Sequence, residues 1–176
     1  PKHLKWPSFY VSKQNDAGNT HVLLRRIQPP VQDLESATKN ALCSDDVSKS
    51  ANVIWTGAAG IGKSAYGNVV AEQLVKQLNQ SIDVLAWRID MFVYLISKSA
   101  SGGIRIDGHR LSCVHDLMNY TDEIKKRRGV LIVELEENDI LPSFSCPMLC
   151  SSSVNDVEKI FKEQYKQGYV MYNLNC

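Results

Sequence analysis

Several features that would assign this chain to a broad class are absent from its sequence. Its 20 Lys and Arg residues nearly balance 19 Asp and Glu residues, so a net charge of +1 offers no electrostatic basis for general nucleic-acid binding. The longest apolar run, Met91 to Ile96, is far too short to span a bilayer. No signal peptide is visible, and the cysteines, five in number, show no regular spacing. We therefore expect an intracellular globular protein with free thiols and no membrane segment.

Residues 57–64 carry the most informative pattern in the chain, because they read Gly-Ala-Ala-Gly-Ile-Gly-Lys-Ser. This is the G-x-x-x-x-G-K-S pattern of a phosphate-binding P-loop. The apolar, β-branched run 52–56 before it predicts a buried strand, and residues 65–80 after it predict a helix with one apolar face. A P-loop needs this strand-loop-helix setting, so the alternative of a glycine-rich turn that binds nothing is the less favoured one.

The spacing within this loop suits each residue type to a task. Gly57, Gly60 and Gly62 allow the backbone to curl and aim several N–H groups at one anion, beside the N-terminus of the helix. Lys63 can reach the β- and γ-phosphates, and Ser64 offers its hydroxyl to Mg²⁺. The predicted nucleotide-binding residues are Gly57, Ala58, Ala59, Gly60, Ile61, Gly62, Lys63, Ser64 and Ala65.

The run 129–134, Gly-Val-Leu-Ile-Val-Glu, predicts a buried strand that ends in a carboxylate, which is the Walker B form. Open α/β sheets bind ligands at the carboxyl ends of their strands, so we expect Glu134 to hold Mg²⁺ together with Ser64. The usual residue is Asp, and the additional methylene of Glu shifts the oxygens by roughly 1.5 Å, which a water-mediated contact tolerates.

In the hydrolytic branch of P-loop proteins, a catalytic Glu often follows the Walker B acid directly. In this chain Leu135 occupies that position, and Glu136 and Glu137 come one and two positions later. Glu136 could polarise the attacking water if the strand end is bulged, whereas an acidic loop start is an equally good interpretation. The predicted catalytic residues are Lys63, Glu134 and Glu136.

Residues 147–153 predict a further core strand that ends in serines, at the edge where a group sensing the γ-phosphate would lie. Ser152 is the candidate sensor, and Ser151 is the second choice. Serines at this point also suit the N-cap of a helix predicted over 154–164, and capping is the favoured role, although one turn can do both.

Two further residue pairs invite a functional reading. His115 and Asp116 are adjacent and could act as an acid and a base, but no other residue in the sequence pattern supports that role. Cys146 and Cys150 have a spacing that suggests zinc, but no second matching pair is present. Structural roles are therefore favoured for both pairs.

Together these elements predict an α/β fold, a three-layer P-loop NTPase with a mostly parallel sheet and a β-hairpin insertion over residues 91–107. Residues 51–176 would form the nucleotide-binding domain, and residues 1–50 a short N-terminal accessory segment. Because the chain begins at Pro1 rather than Met, we expect it to be a piece of a longer protein.

The predicted order of elements resembles the P-loop region of the trypanosome retrotransposon hot spot (RHS) proteins, and it is similar to the nucleotide-binding domain of Crinkler-type effectors. Three features carry the resemblance: the Gly-Ile-Gly-Lys-Ser ending at 60–64, the hairpin before the Walker B strand, and the serines at 151–153 followed by a helical pattern and an aromatic strand. It covers residues 50–175 in outline. The resemblance implies an ATPase of the STAND/AAA-related kind, joined to other domains, including nuclease-like ones, and associated with nuclei.

We expect this domain to bind ATP with Mg²⁺ and to hydrolyse it slowly or only with a partner, because Glu134 replaces Asp and no Glu follows it. ATP is favoured over GTP because no guanine-reading N/T-K-x-D motif is present. One alternative is a nucleotide-binding switch or interaction module without turnover. A small nucleotide-kinase-like phosphotransferase ranks lower, because residues 147–176 contain no Arg for a lid. The expected partners are the nucleotide and either another protein or further domains of the same chain.

Overall fold

The strands and helices of this chain follow the hydrophobic periodicity of its sequence. The computed structural model describes residues 10–15, 18–21, 39, 42–43, 52–56, 63–135, 139, 142, 144–152 and 169–173. The strands there are Tyr10–Asn15 (β1), Gly18–His21 (β2), Asn52–Thr56 (β3), Val84–Ile89 (β4), Phe92–Lys98 (β5), Ile104–Arg110 (β6), Val130–Glu134 (β7), Met148–Ser151 (β8) and Tyr169–Asn173 (β9). The helices there are Lys63–Lys76 (α1) and Met118–Lys126 (α2), the second preceded by a 3-10 turn over Val114–Leu117.

Seven of these strands form one mixed sheet in the order β6-β5-β4-β7-β8-β3-β9. Strands β4, β7, β8, β3 and β9 run parallel, whereas β5 pairs antiparallel with both β4 and β6. Parallel strands need long crossover connections, and α1 lies in the crossover from β3 to β4. The expected α/β class and the expected antiparallel hairpin are therefore confirmed.

The sheet carries a helix on each of its two faces. Successive residues of a strand point to opposite faces, and β7 shows this directly. Val130 belongs to an apolar cluster that includes Leu74 of α1, whereas Leu131 belongs to a cluster that includes Ile124 of α2. The face that carries α1 is called the α1 face below, and the other is called the α2 face. Burial on both faces explains why β7 reads as a continuous apolar run.

The two hairpins differ in extent from the sequence pattern. That pattern predicts N-terminal strands over 8–11 and 21–27. The strands described there, β1 and β2, reach closer to the turn and pair Asn15 with Gly18, and residues 8–9 and 22–27 lie outside the described residues. The return strand of the β5–β6 hairpin continues past the predicted end at residue 107 to Arg110. In the β5–β6 hairpin, backbone pairing with the partner strand sets the length, and side-chain alternation predicts it poorly.

Helix α1 ends earlier than its apolar pattern predicts. The pattern continues to Gln80, but the helix stops at Lys76. Asn79 takes a left-handed conformation with φ of 64°, and Leu78 forms an isolated bridge with Ile82. Asn tolerates this conformation well, so the turn redirects the chain toward β4. Among the described residues, no helix has both the length and the apolar character needed to cross a bilayer.

Candidate functional site

The candidate site lies at the carboxyl edge, which we define as the adjacent ends of β3, β7 and β8 at Trp55, Glu134 and Ser151. Trp55 is in register with Ser151, and Ser151 is in register with Glu134. Two backbone hydrogen bonds extend the pairing past the strand ends. The Leu135 N–H donates to the Ser151 carbonyl at 3.0 Å, and the Ser152 N–H donates to the Trp55 carbonyl at 3.0 Å. Strand ends tied in this way hold their side chains at defined positions.

At this edge the Ser64 hydroxyl donates a hydrogen bond to the Glu134 carboxylate, although 70 residues separate them in the sequence. Ser64 is the second residue of α1, and Glu134 is the last residue of β7. Glu134 shares the α1 face with Ile132, two residues earlier, because strand side chains alternate. The N-terminus of α1 therefore lies beside the carboxyl end of β7.

Lys63 adds a positive charge next to this contact. Partial burial lowers the pKa of Lys63 from its ordinary value, and the attraction of Glu134 opposes that shift. An ammonium group, a hydroxyl and a carboxylate thus meet at the start of a helix, where free N–H groups and the helix dipole favour an anion. The arrangement can bind an anion on one side and present oxygen atoms to a cation on the other.

Arg88 is a buried charge beside this edge that the sequence analysis did not identify. It is only 3% exposed. Its Nη1 donates to the Glu134 carbonyl at 3.0 Å, its Nε donates to the Asp90 carbonyl at 3.0 Å, and its guanidinium forms an ion pair with Asp139. Arg88 is in register with Val133, so it belongs to the α2 face. An Arg in an apolar strand, one residue before its end, was the available signal.

The guanidinium of Arg88 thus connects three segments at the end of β4. Asp90 has φ of 51° in the tight turn between β4 and β5, and its carbonyl accepts one of the hydrogen bonds. Asp139 follows β7 along the chain, so the ion pair links a residue beyond β7 to the end of β4. Hydrogen bonds to charged groups are among the stronger ones, so Arg88 restrains the backbone at Glu134.

Only some of the other predicted site residues are among the residues that the structure describes. The loop 57–62 and Glu136 lie outside the described residues, and Ala65 is described only as part of the α1 backbone. Ser152 is buried at the carboxyl edge, as is Ser151. The helix predicted over 154–164 also lies outside the described residues, so sensing and capping both remain predictions for these serines.

The other two residue pairs singled out in the sequence lie in a turn and in the core: Asp116 caps a 3-10 turn, and Cys146 and Cys150 are buried. The Asp116 carboxylate accepts hydrogen bonds from the backbone N–H groups of Ser112 at 2.6 Å and Cys113 at 3.3 Å, which stabilises the start of the 3-10 turn. Cys146 and Cys150 are buried, and burial raises the pKa of both thiols, that of Cys146 to about 12. Among the described residues, no group of three or more His, Cys, Asp or Glu side chains could hold a metal ion.

No protein-family model matches this chain, and no curated protein sequence matches it. The chemistry of the carboxyl edge is therefore the basis for a function. That chemistry consists of a helix N-terminus, Lys63, Ser64 and Glu134, with Arg88 beneath the acid.

Proposed function

We propose that residues 51–176 form a three-layer P-loop domain that binds ATP with Mg²⁺ and hydrolyses it slowly or only with a partner. The observation that carries this proposal is the contact between the Ser64 hydroxyl and the Glu134 carboxylate. A G-x-x-x-x-G-K-S sequence between a strand and a helix can occur by chance. A true P-loop also needs an acidic residue, far away in the sequence, that lies beside the serine of the motif. The pairing of these two residues across 70 positions supports the P-loop interpretation.

In this proposal the phosphates bind at the N-terminus of α1. The loop 57–62 supplies backbone N–H groups, and Lys63 supplies a positive charge. The position of Glu134 favours the charged form of Lys63, since its attraction opposes the effect of partial burial on the pKa. The attraction of Glu134 thus helps to keep the Lys63 side chain charged near the start of α1 before the anion arrives.

The donor set at the carboxyl edge fits a hard divalent cation. Ser64 and Glu134 present hydroxyl and carboxylate oxygens that are already in contact, and oxygen is the ligand that Mg²⁺ prefers. These two residues would hold the ion, and bound Mg²⁺ would neutralise charge on the transferring phosphoryl group. Arg88 would keep the Glu134 backbone in place from the opposite face.

Slow turnover is part of the proposal because of the residue that follows the acid. Leu135 is buried in the apolar cluster on the α2 face, so it cannot orient water. Glu136 is the nearest following carboxylate in the sequence, and we propose it as the candidate base. The likeness to RHS and Crinkler-type proteins adds a proposed nuclear or cytoplasmic compartment and a partner that completes the site.

The experiment is a titration of the full chain with a fluorescent ATP analogue, with and without Mg²⁺, alongside phosphate release. We expect Lys63→Ala to abolish binding and Glu134→Gln to remove the Mg²⁺ dependence. Lys76→Ala is the matched control, because this lysine lies at the other end of α1 in an exposed pair with Glu72. Unchanged affinity in Lys63→Ala would contradict the proposal.

Two further readouts separate the alternatives. Competition by unlabelled ATP and GTP tests the base preference, and we expect ATP to compete more strongly. Binding without phosphate release, even with Glu136 intact, would favour the nucleotide-binding switch over the ATPase. Transfer of phosphate to a nucleoside monophosphate would instead favour the kinase-like alternative.

A further inference from the structure

Among the described residues, strand β6 lies at the end of the sheet and has no partner strand on one side of its backbone. It is the terminal strand in the sheet order, and within the described part of the chain only β5 pairs with it. It runs for seven residues, Ile104–Arg110, and contains no proline. Ile104 and Ile106 are 50% and 60% exposed. Natural edge strands are usually short, or carry a proline, a bulge or charges that discourage pairing. β6 has no proline and no bulge, and its charged residues, Arg105, Asp107 and Arg110, are of both signs, so its edge can pair with a strand of matching charge.

The direction of each backbone group along β6 follows from its pairing with β5. The Leu111 N–H donates to the Met91 carbonyl at 2.7 Å, and the Ser99 N–H donates to the Gly103 carbonyl at 2.7 Å. The pairs Met91–Leu111 and Ser99–Gly103 continue the β5–β6 register beyond its two ends. Hydrogen-bonded pairs occur at every second residue, so the odd-numbered residues of β6 direct their N–H and C=O groups toward β5. The even-numbered residues from 104 to 110 therefore direct theirs outward.

We propose that β6 pairs antiparallel with β6 of a second copy of this chain, about a two-fold axis at Ile106. In this register Ile106 faces Ile106 of the second copy, and Ile104 faces Gly108 of the second copy. These are hydrogen-bonded pairs that use the outward groups, and they lie on the α1 face. On the α2 face, Arg105 faces Asp107 of the second copy, and Asp107 faces Arg105 of the second copy.

Charge complementarity selects this register. A two-fold axis at Arg105 or at Asp107 would place like charges directly opposite each other, which is destabilising. An axis at Gly108 would place Ile106 opposite Arg110. An axis between two residues would oppose outward groups to inward ones, so no ladder could form. The axis at Ile106 satisfies both the apolar face and the charged face.

The charged face is already arranged for such a pairing. Arg105 and Asp107 form an ion pair of 2.8 Å within one chain, in which the Arg105 side chain is exposed and the Asp107 side chain is partly exposed. In the proposed pair, residues 105 and 107 would lie in non-hydrogen-bonded positions, where facing side chains approach most closely. Four alternating charges would then lie side by side. Three hydrogen-bonded residue pairs would add about six backbone hydrogen bonds. This pairing does not depend on nucleotide binding.

The first test measures the mass of the full chain by sedimentation over a concentration series. We expect the unsubstituted chain to form dimers, and Arg105→Asp or Asp107→Arg alone to weaken dimerisation about tenfold or more, since each places like charges opposite each other. An equal mixture of the two variants should dimerise again, because every facing pair on the charged face then joins an acidic side chain to a basic one. A monomer throughout the series, or a mixture no better than either variant alone, would overturn the proposal.

The second test locates the axis by adding one cysteine to β6 and measuring disulfide-linked dimers after mild oxidation. In a hydrogen-bonded pair on the axis, the two Cα atoms of residue 106 are about 5.5 Å apart, within the range for a disulfide. We therefore expect Ile106→Cys to form a covalent dimer. Ile104→Cys is the matched control, since its two copies would lie about 13 Å apart along the strands. The unsubstituted chain gives the background from its own cysteines. Equal crosslinking of both variants would contradict the register.

Discussion

Replacement of Arg88 by Met tests whether the buried guanidinium stabilises the carboxyl edge. The change leaves the Asp139 carboxylate, which is only 15% exposed, without its ion pair. It also removes donors from the carbonyls of Asp90 and Glu134. Loss of one partner from a buried ion pair costs about 3–5 kcal/mol. A domain of ordinary stability has about 5–15 kcal/mol, so the variant would lose a large fraction of it.

Urea unfolding followed by tryptophan fluorescence measures this loss, because Trp55 is fully buried. With a slope of about 2 kcal/mol per molar urea, the midpoint should fall by about 1.5–2.5 M. Arg127→Met is the matched control, since Arg127 forms an exposed pair with Glu123 and its loss should cost less than about 1 kcal/mol. The double variant Arg88→Met with Asp139→Leu should be more stable than Arg88→Met alone, because the largely buried carboxylate that lost its ion pair with Arg88 is removed as well. Equal midpoints for Arg88→Met and Arg127→Met would refute this reasoning.

Two glycines and one cysteine give further predictions. Gly129→Ala should lower the free energy of unfolding by about 1–3 kcal/mol, because a new Cβ would lie 2.4 Å from a methyl of Val84 and 2.7 Å from the Ile124 carbonyl. Gly67→Ala, in α1 with nothing within 4 Å of the added Cβ, should instead raise it by about 0.5–1 kcal/mol. Thermal unfolding of both variants checks the opposite signs. Burial raises the pKa of Cys146 from 9.0 to about 12, so its thiol keeps its proton in the folded state while the unfolded state loses it. The contribution of this thiol to stability is therefore unchanged below about pH 9 and falls by about 1.4 kcal/mol per pH unit between about pH 9 and pH 12. Urea unfolding across this range should show a shallower decline in Cys146→Ala, and an equal decline would contradict the assignment.

Local patterns predicted the elements that bury both faces or alternate strictly. The run 52–56 became β3, and the run 129–134 became β7 with Glu134 at its end, because an apolar run of about five residues that is rich in β-branched side chains favours a buried strand over a helix. The extents of β6 and α1 were less predictable. Pairing with β5 extends β6 to Arg110. Helix α1 ends at Lys76, before the end of its apolar pattern, and the chain turns at Asn79, which has a left-handed conformation.

Arg88 illustrates why part of the candidate site could not be predicted. Its neighbours in the sequence are apolar, so the local pattern indicates only a strand. Its ion-pair partner, Asp139, lies 51 residues later, and its carbonyl acceptor at Glu134 lies 46 residues later. A charge can be buried at that position only because both groups meet it there. No period along the chain encodes such a meeting.

The sequence by itself determined the G-x-x-x-x-G-K-S motif, the positions of β3, β7 and α1 in outline, and the α/β class. These depend on residue chemistry and on hydrophobic patterns that repeat every few residues. Tertiary structure alone decided the order β6-β5-β4-β7-β8-β3-β9 and the faces on which α1 and α2 pack. It therefore also decided that Ser64 meets Glu134 and that β6 is left at the end of the sheet. Strand order is set by packing between distant segments, and many orders would satisfy the same local patterns.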